Sequence, residues 1–185
     1  MGCGHGSAVA ALRGRGHRAV GIDPTPEILA VALECFDPDW FRAVAVEHLP
    51  DELAAIDLPD RFDVVMATGN VPALLSDDTL TGAFLPIAKL LCPGGLLVIG
   101  TTTAARGGPE AQLVAAAACG LTLIHRFADW HLSVPSDELP WSVTVFQTPG
   151  TGDPVDTPDG IFVLQQGSGP AVLTASLHTI EQERP

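Results

Sequence analysis

Apolar residues along this chain fall into two kinds of run. Short continuous ones at 18–22, 41–46, 62–67 and 96–100 read as strands. Between them lie longer stretches with helical spacing. In 7–13, Ala8, Val9 and Leu12 sit among helix formers, and Gly14 and Gly16 end the segment. The run 18–22 stops at Asp23. Thr25-Pro26-Glu27 is a helix start: a cap, a proline in the first turn and an acid near the positive end of the dipole. Ile28, Leu29, Val31, Ala32, Leu33, Cys35 and Phe36 then supply a wide apolar face. A turn at Pro50-Asp51 follows the run 41–46.

The stretch 62–67 is apolar enough to predict burial on both faces. A helix is expected within 76–91, kinked or split by Pro86. Cys92-Pro93-Gly94-Gly95 reads as a turn before the strand at 96–100. Pro109-Glu110 opens another helix that ends at Gly120. The runs 121–127 and 142–147 read as strands with no helical pattern between them, so they are expected to pair antiparallel at a sheet edge. Strands alternating with helices predict an α/β fold, a Rossmann-like three-layer sandwich with a mostly parallel sheet and an antiparallel last strand. Residues 1–148 form the expected core. Residues 149–185 start as a Pro/Gly-rich linker and carry two apolar runs, 161–164 and 171–173, that make either an edge hairpin or a loose tail. There is no internal repeat.

Composition narrows the function. A chain of 185 residues, 46% hydrophobic, has the material for one globular domain. No apolar run reaches the roughly 18–20 residues of a membrane helix, and the N-terminus lacks a signal-peptide pattern. Net charge is −13, with one lysine, Lys89, and the other eight of the nine basic residues scattered arginines. Nucleic acids and anionic membranes need clustered positive charge, so a small-molecule partner is the better expectation. Cys3, Cys35, Cys92 and Cys119 show neither a CxxC pair nor metal-ligand spacing. They are read as reduced, mostly buried thiols of a cytoplasmic protein, with no metal site.

Chemistry concentrates in Gly2-Cys3-Gly4-His5-Gly6, with Asp23 about one short helix and strand later. Phe62-Asp63-Val64-Val65, the stretch Leu90 through Pro93-Gly94-Gly95 to Ile99, and Trp141 to Phe146 complete an ordered set. Together they resemble the class I S-adenosylmethionine-dependent methyltransferases of small-molecule type, over residues 2 to about 148. The resemblance implies S-adenosylmethionine as cofactor and in-line methyl transfer to a small acceptor. It also implies a strand ending in an acid just before the glycine loop, where this chain has only Met1. The first central strand is therefore expected to be missing, and the polypeptide to fold poorly or bind cofactor weakly.

The resemblance assigns Gly2, Cys3, Gly4, His5 and Gly6 to the methionine side of the cofactor. The glycines allow close backbone approach, while Cys3 and His5 contribute backbone groups. Asp23 either accepts from the ribose hydroxyls or caps the helix after it. Glu47 and His48 are the first candidates for reading adenine, with Asp57 as rival; all three also suit a solvated loop. Thr68 and Asn70 follow the run 62–67, at the sheet edge where α/β ligands bind. Asn70 either holds the methionine part or a substrate, or simply forms a Gly-Asn turn. His131, beside Trp130, is a candidate base if the acceptor must lose a proton. Asp129 and Glu138 read as surface acids, and the tryptophans as core or lid.

Two other readings compete. A nicotinamide-binding Rossmann domain wants G-x-G-x-x-G, but Ser7 stands at the third glycine and Gly6 comes one residue early. A non-catalytic, methyltransferase-like module is the alternative from a different class.

Overall fold

The computed structural model of the chain describes residues 1–49, 61–136, 139–150, 162–165 and 172–175. It opens with α1 (Ser7–Gly14), β1 (Gly21–Ile22), α2 (Pro26–Cys35) and β2 (Phe41–Arg42). Short 3-10 turns, Pro38–Trp40 and Val46–His48, flank β2. Next come β3 (Phe62–Ala67), a 3-10 turn at Val71–Leu74, α3 (Asp77–Leu90), β4 (Leu91–Thr102) and α4 (Pro109–Ala118). The strands β5 (Thr122–Phe127), β6 (Trp141–Gln147), β7 (Phe162–Gln165) and β8 (Val172–Ala175) complete the order.

The main sheet has the order β3-β4-β6-β5. β3 and β4 run parallel, and β6 is antiparallel to both of its neighbours. This confirms the helix-free antiparallel pair, with β5 rather than β6 at the edge. Leu97, Ile99 and Phe146 are almost wholly buried, and the Phe84 ring of α3 meets Phe146 edge-on at 6.1 Å. Such a pair is worth about 0.5–1.5 kcal/mol beyond its buried area. One buried polar contact crosses this core: Thr144 Oγ1 donates to Gln112 Oε1 at 2.5 Å, and Gln112 Nε2 donates to the Gly107 carbonyl at 2.7 Å.

β1 and β2 form a separate parallel pair. A second, smaller cluster of Val9, Leu29, Ala32 and Phe41 packs α1 and α2 against it. β7 and β8 pair antiparallel in a sheet of their own. Among the described residues the apolar runs of the tail thus pair with each other and not with an edge of the main sheet.

Several local expectations change. The runs 18–22 and 41–46 shorten to two paired residues each, because β1 has a single neighbouring strand among the described residues. β3 buries only Val65 and Ala67, while Val64 and Met66 stay half-buried. Its second face is incompletely covered, so an apolar run did not mean two buried faces.

Pro86 does not split α3, which is one continuous helix. Residue 82, whose carbonyl the ring would crowd, is an exposed glycine, and Ala83, Phe84, Ile87 and Leu90 anchor the helix on its buried side. The predicted turn at 92–95 lies inside β4 as an irregularity, where the register jumps from Phe62↔Leu91 to Val64↔Leu96. Cys35 is exposed, and Cys3, Cys92 and Cys119 are only partly buried, which corrects the expectation of buried thiols. Among the described residues no helix is long and apolar enough to cross a membrane.

Candidate functional site

The glycine loop is shaped by three left-handed residues. Gly2, Gly4 and Gly6 have φ of 58, 53 and 83°, where a β-carbon is strained. Their surroundings differ. A β-carbon on Gly6 would stand 2.7 Å from the Phe41 ring, and one on Gly2 would meet Val71. At Gly4 nothing lies within 4 Å. Gly2 and Gly6 therefore pack the loop onto the body, while Gly4 presents open backbone.

Asp23 fastens this loop. One carboxylate oxygen accepts from Gly4 N–H and the other from Thr25 N–H, both at 3.0 Å. The residue is 7% exposed, and its own N–H donates to the Arg42 carbonyl at 3.2 Å. Asp23 does not cap α2, whose N-cap is Thr25 without a side-chain cap bond; its carboxylate instead ties the glycine loop to the turn before that helix. Each oxygen has accepted one hydrogen bond and keeps capacity for another, so hydroxyl groups of a ligand could still be held.

Cys3 lies against Gly21, whose missing side chain makes room for the thiol. Burial pushes the Cys3 thiol above its ordinary range, so it stays protonated at neutral pH. His5 is exposed and flanks the loop. Cys3 N–H donates to the Ile22 carbonyl, and Gly6 N–H closes the loop onto the Cys3 carbonyl, both at 3.0 Å.

The segment after β3 reaches the same place through the contact of Gly2 with Val71. Thr68 is half-buried at the carboxyl end of β3. Asn70 takes φ 62°, as the turn reading expects, and its N–H donates to the Gly100 carbonyl at 3.0 Å. Its side-chain oxygen accepts from Thr101 Oγ1 at 2.7 Å, Thr102 N–H at 3.0 Å and Thr102 Oγ1 at 3.2 Å. Asn70 is therefore a fastening between the two parallel strand ends. Only its amide NH2 remains for a ligand.

The loop between β5 and β6 covers the end of β4. The Trp130 ring packs on Gly100, and Thr103 N–H donates to the Pro140 carbonyl at 3.0 Å. Asp129 organises this loop: it accepts from His131 N–H at 2.8 Å, Ser133 N–H at 3.2 Å and Ser133 Oγ at 2.9 Å. Burial pushes the Asp129 carboxyl up, but the Ser133 and His131 hydrogen bonds outweigh it and hold the group below its ordinary 3.8. Asp129 is a loop clamp rather than a bare surface acid. His131 itself is exposed.

The structure thus brings together the glycine loop, Asp23 and the segment 68–71, at the carboxyl ends of parallel strands. His48 is exposed on a turn that packs against α3. The side chain of Glu47, and Asp57 and Glu138 altogether, lie outside the described residues. Sequence reasoning missed Thr101, Thr102 and Gly107. Gly107, at φ 70°, abuts the Pro72 carbonyl and lets the loop after β4 rest on the turn after β3. A run of small residues such as Thr101 to Gly108 carries no signal for such long-range fastenings.

Residues 1–99 match the family described as methyltransferase domain. No curated protein matches the sequence. Among solved structures, a TehB-like S-adenosylmethionine-dependent methyltransferase from Corynebacterium glutamicum is 26% identical, with a TM-score of 0.69 over 80% of this chain and 77% of that one. An S-adenosylmethionine-dependent methyltransferase from Clostridium acetobutylicum shares the fold at 10% identity, with a TM-score of 0.69 over 80% and 82%. The CcbJ methyltransferase from Streptomyces caelestis does so at 18%, with a TM-score of 0.66 over 79% and 86%. The nicotinamide reading is set aside by these matches. The chain belongs to the methyltransferase domain family and is a class I S-adenosylmethionine-dependent methyltransferase.

Proposed function

We propose that the site holds S-adenosylmethionine and transfers its methyl group in line to a small-molecule acceptor. The observation that carries this reading is the pairing of Asp23 with Gly4. It sets a buried carboxylate beside open glycine backbone at the carboxyl end of β1. When bound, the cofactor supplies a methyl group already activated by a sulfonium. The protein then has to align donor and acceptor and exclude water.

In this assignment the Gly2–Gly6 backbone cradles the methionine part, Asp23 accepts from the ribose hydroxyls, and Thr68 and the Asn70 amide border the same space. Glu47 and His48 are kept as the candidates on the adenine side. The loop carrying Trp130 and His131 faces the acceptor. His131 serves as base where the acceptor must lose a proton. A small acceptor, with no nucleic acid or membrane surface, agrees with the charge of −13.

Isothermal titration of the whole chain with S-adenosylmethionine tests the assignment. Saturable binding that Asp23→Ala weakens by about tenfold or more is the expected result. Absence of binding by a chain that melts cooperatively would leave the second reading, a non-catalytic methyltransferase-like module. The separation of β1–β2 from the main sheet is what favours that reading.

A further inference from the structure

We propose that Gln112, wholly buried on α4, is a positioning residue that sets the glycine loop through the turn after β3. Its side-chain amide stands between two partners that leave it one orientation. The Gly107 carbonyl can only accept, so it takes the Nε2 hydrogen at 2.7 Å. Oε1 is then left to accept from Thr144 Oγ1 at 2.5 Å. Gln112 N–H also donates to the Gly108 carbonyl at 3.1 Å, so one residue grips the end of the loop 103–108 by backbone and side chain. A core tolerates an amide only where its polar atoms are bonded, and methionine would fill much the same volume without that demand. What glutamine adds over an apolar residue is the fixed place of Gly107.

From Gly107 the contact runs on to the glycine loop. Gly107 has φ 70°, and a β-carbon there would collide with the Pro72 carbonyl, so its backbone lies directly on the 3-10 turn Val71–Leu74. Arg106 Nη2 ties the same loop to the Ala73 carbonyl at 3.3 Å. Val71, beside Pro72, fills the space that a side chain on Gly2 would need. Hydrogen bonds and packing thus lead from Thr144 in the middle of β6 to Gly2, the kind of contiguous network through which distant residues couple. The start of the turn has its own fastening, because Thr101 and Thr102 hold Asn70. Its middle rests on the loop that Gln112 grips. Loss of the Gln112 bonds therefore frees the Pro72 side of the turn while Asn70 stays tied. The effect on ligand binding rests on the cofactor reading above; the hold on the turn does not.

The test compares Gln112→Met, Gln112→Glu and Val145→Ala in the whole chain. It uses isothermal titration with S-adenosylmethionine, and amide exchange without it. Gln112→Met keeps the volume and loses both side-chain bonds, so it should weaken cofactor binding by about tenfold. The Ala73 and Leu75 amides, which close the turn, should exchange faster, while Leu97 and Ile99 in β4 keep their rates. In Gln112→Glu burial raises the carboxyl pKa, and the protonated acid can donate to Gly107 and accept from Thr144. Its affinity relative to the wild type should recover at about pH 6 and fall again towards about pH 9, where the ionised group faces the Gly107 carbonyl. Val145 is buried on the opposite face of β6 from Thr144. Val145→Ala should lower the melting temperature and leave affinity unchanged.

A folded Gln112→Met with wild-type turn exchange overturns the proposal. So does equal weakening by Val145→Ala, which would make the effect one of general stability, or a Gln112→Glu that does not recover at the acidic pH. If Gln112→Met fails to fold, the pH series of Gln112→Glu decides alone. A wild type that binds no cofactor, with turn exchange still faster in Gln112→Met, sinks the methyl-transfer reading alone. Equal cofactor binding by the wild type and Gln112→Met sinks the positioning role alone.

Discussion

Gly4 and Gly6 share one backbone conformation for different reasons, and substitution separates them. Gly4→Ala adds a methyl to open space and carries only the left-handed strain, about 1–2 kcal/mol. Gly6→Ala also drives a methyl into the Phe41 ring, so it should cost about 1–3 kcal/mol more in denaturant unfolding. Equal losses would mean that the packing of Gly6 on Phe41 is not rigid. Asp23→Ala leaves the Gly4 and Thr25 N–H groups without their acceptor and should cost about 1–3 kcal/mol, besides its effect on ligand. Asn70→Ala removes the oxygen that three groups of Thr101 and Thr102 share. It should loosen the loop after β4 and lower cofactor affinity less than Asp23→Ala does, by the same titration.

The loop between β5 and β6 carries its own pH dependence. The folded-state pKa of Asp129 is depressed, so protons bind the opened loop more readily than the closed one. Its contribution is full above the ordinary value of 3.8 and disappears as the pH falls through and below it. Trp130 fluorescence, or the amide resonances of His131 and Ser133, should report loop opening in that acidic range. In Asp129→Asn the transition should vanish. A transition that persists in that variant would assign it to another carboxyl group.

Among the described residues the molecule has three sheets, one of four strands and two of two. The four-stranded one shares a continuous core with α3 and α4, whereas β1 and β2 pair over two residues each. Two-stranded sheets are marginal alone, so the β1–β2 unit depends on α1 and α2 packing over Phe41. Amide exchange should be faster at Gly21 to Arg42 than in β4 and β6. Uniform protection would show that these two sheets open as one unit. Cofactor binding at the glycine loop should slow the faster unit most.

Sequence alone determined the alternation of strands and helices, the antiparallel closing pair, the glycine loop with Asp23, and the class. These are local patterns: period-two or period-3.6 burial, glycine where φ is positive, and an acid at a strand end. It also located Asn70 at a turn. It could not say that Asn70 binds Thr101 and Thr102, that Asp129 clamps its loop, or that Gly107 abuts Pro72, since each joins segments through space. For the same reason the apolar run of β3 predicted two covered faces. Only the tertiary structure showed one face of β3 against the core and the other incompletely covered, because burial belongs to the neighbours a strand acquires and not to the strand.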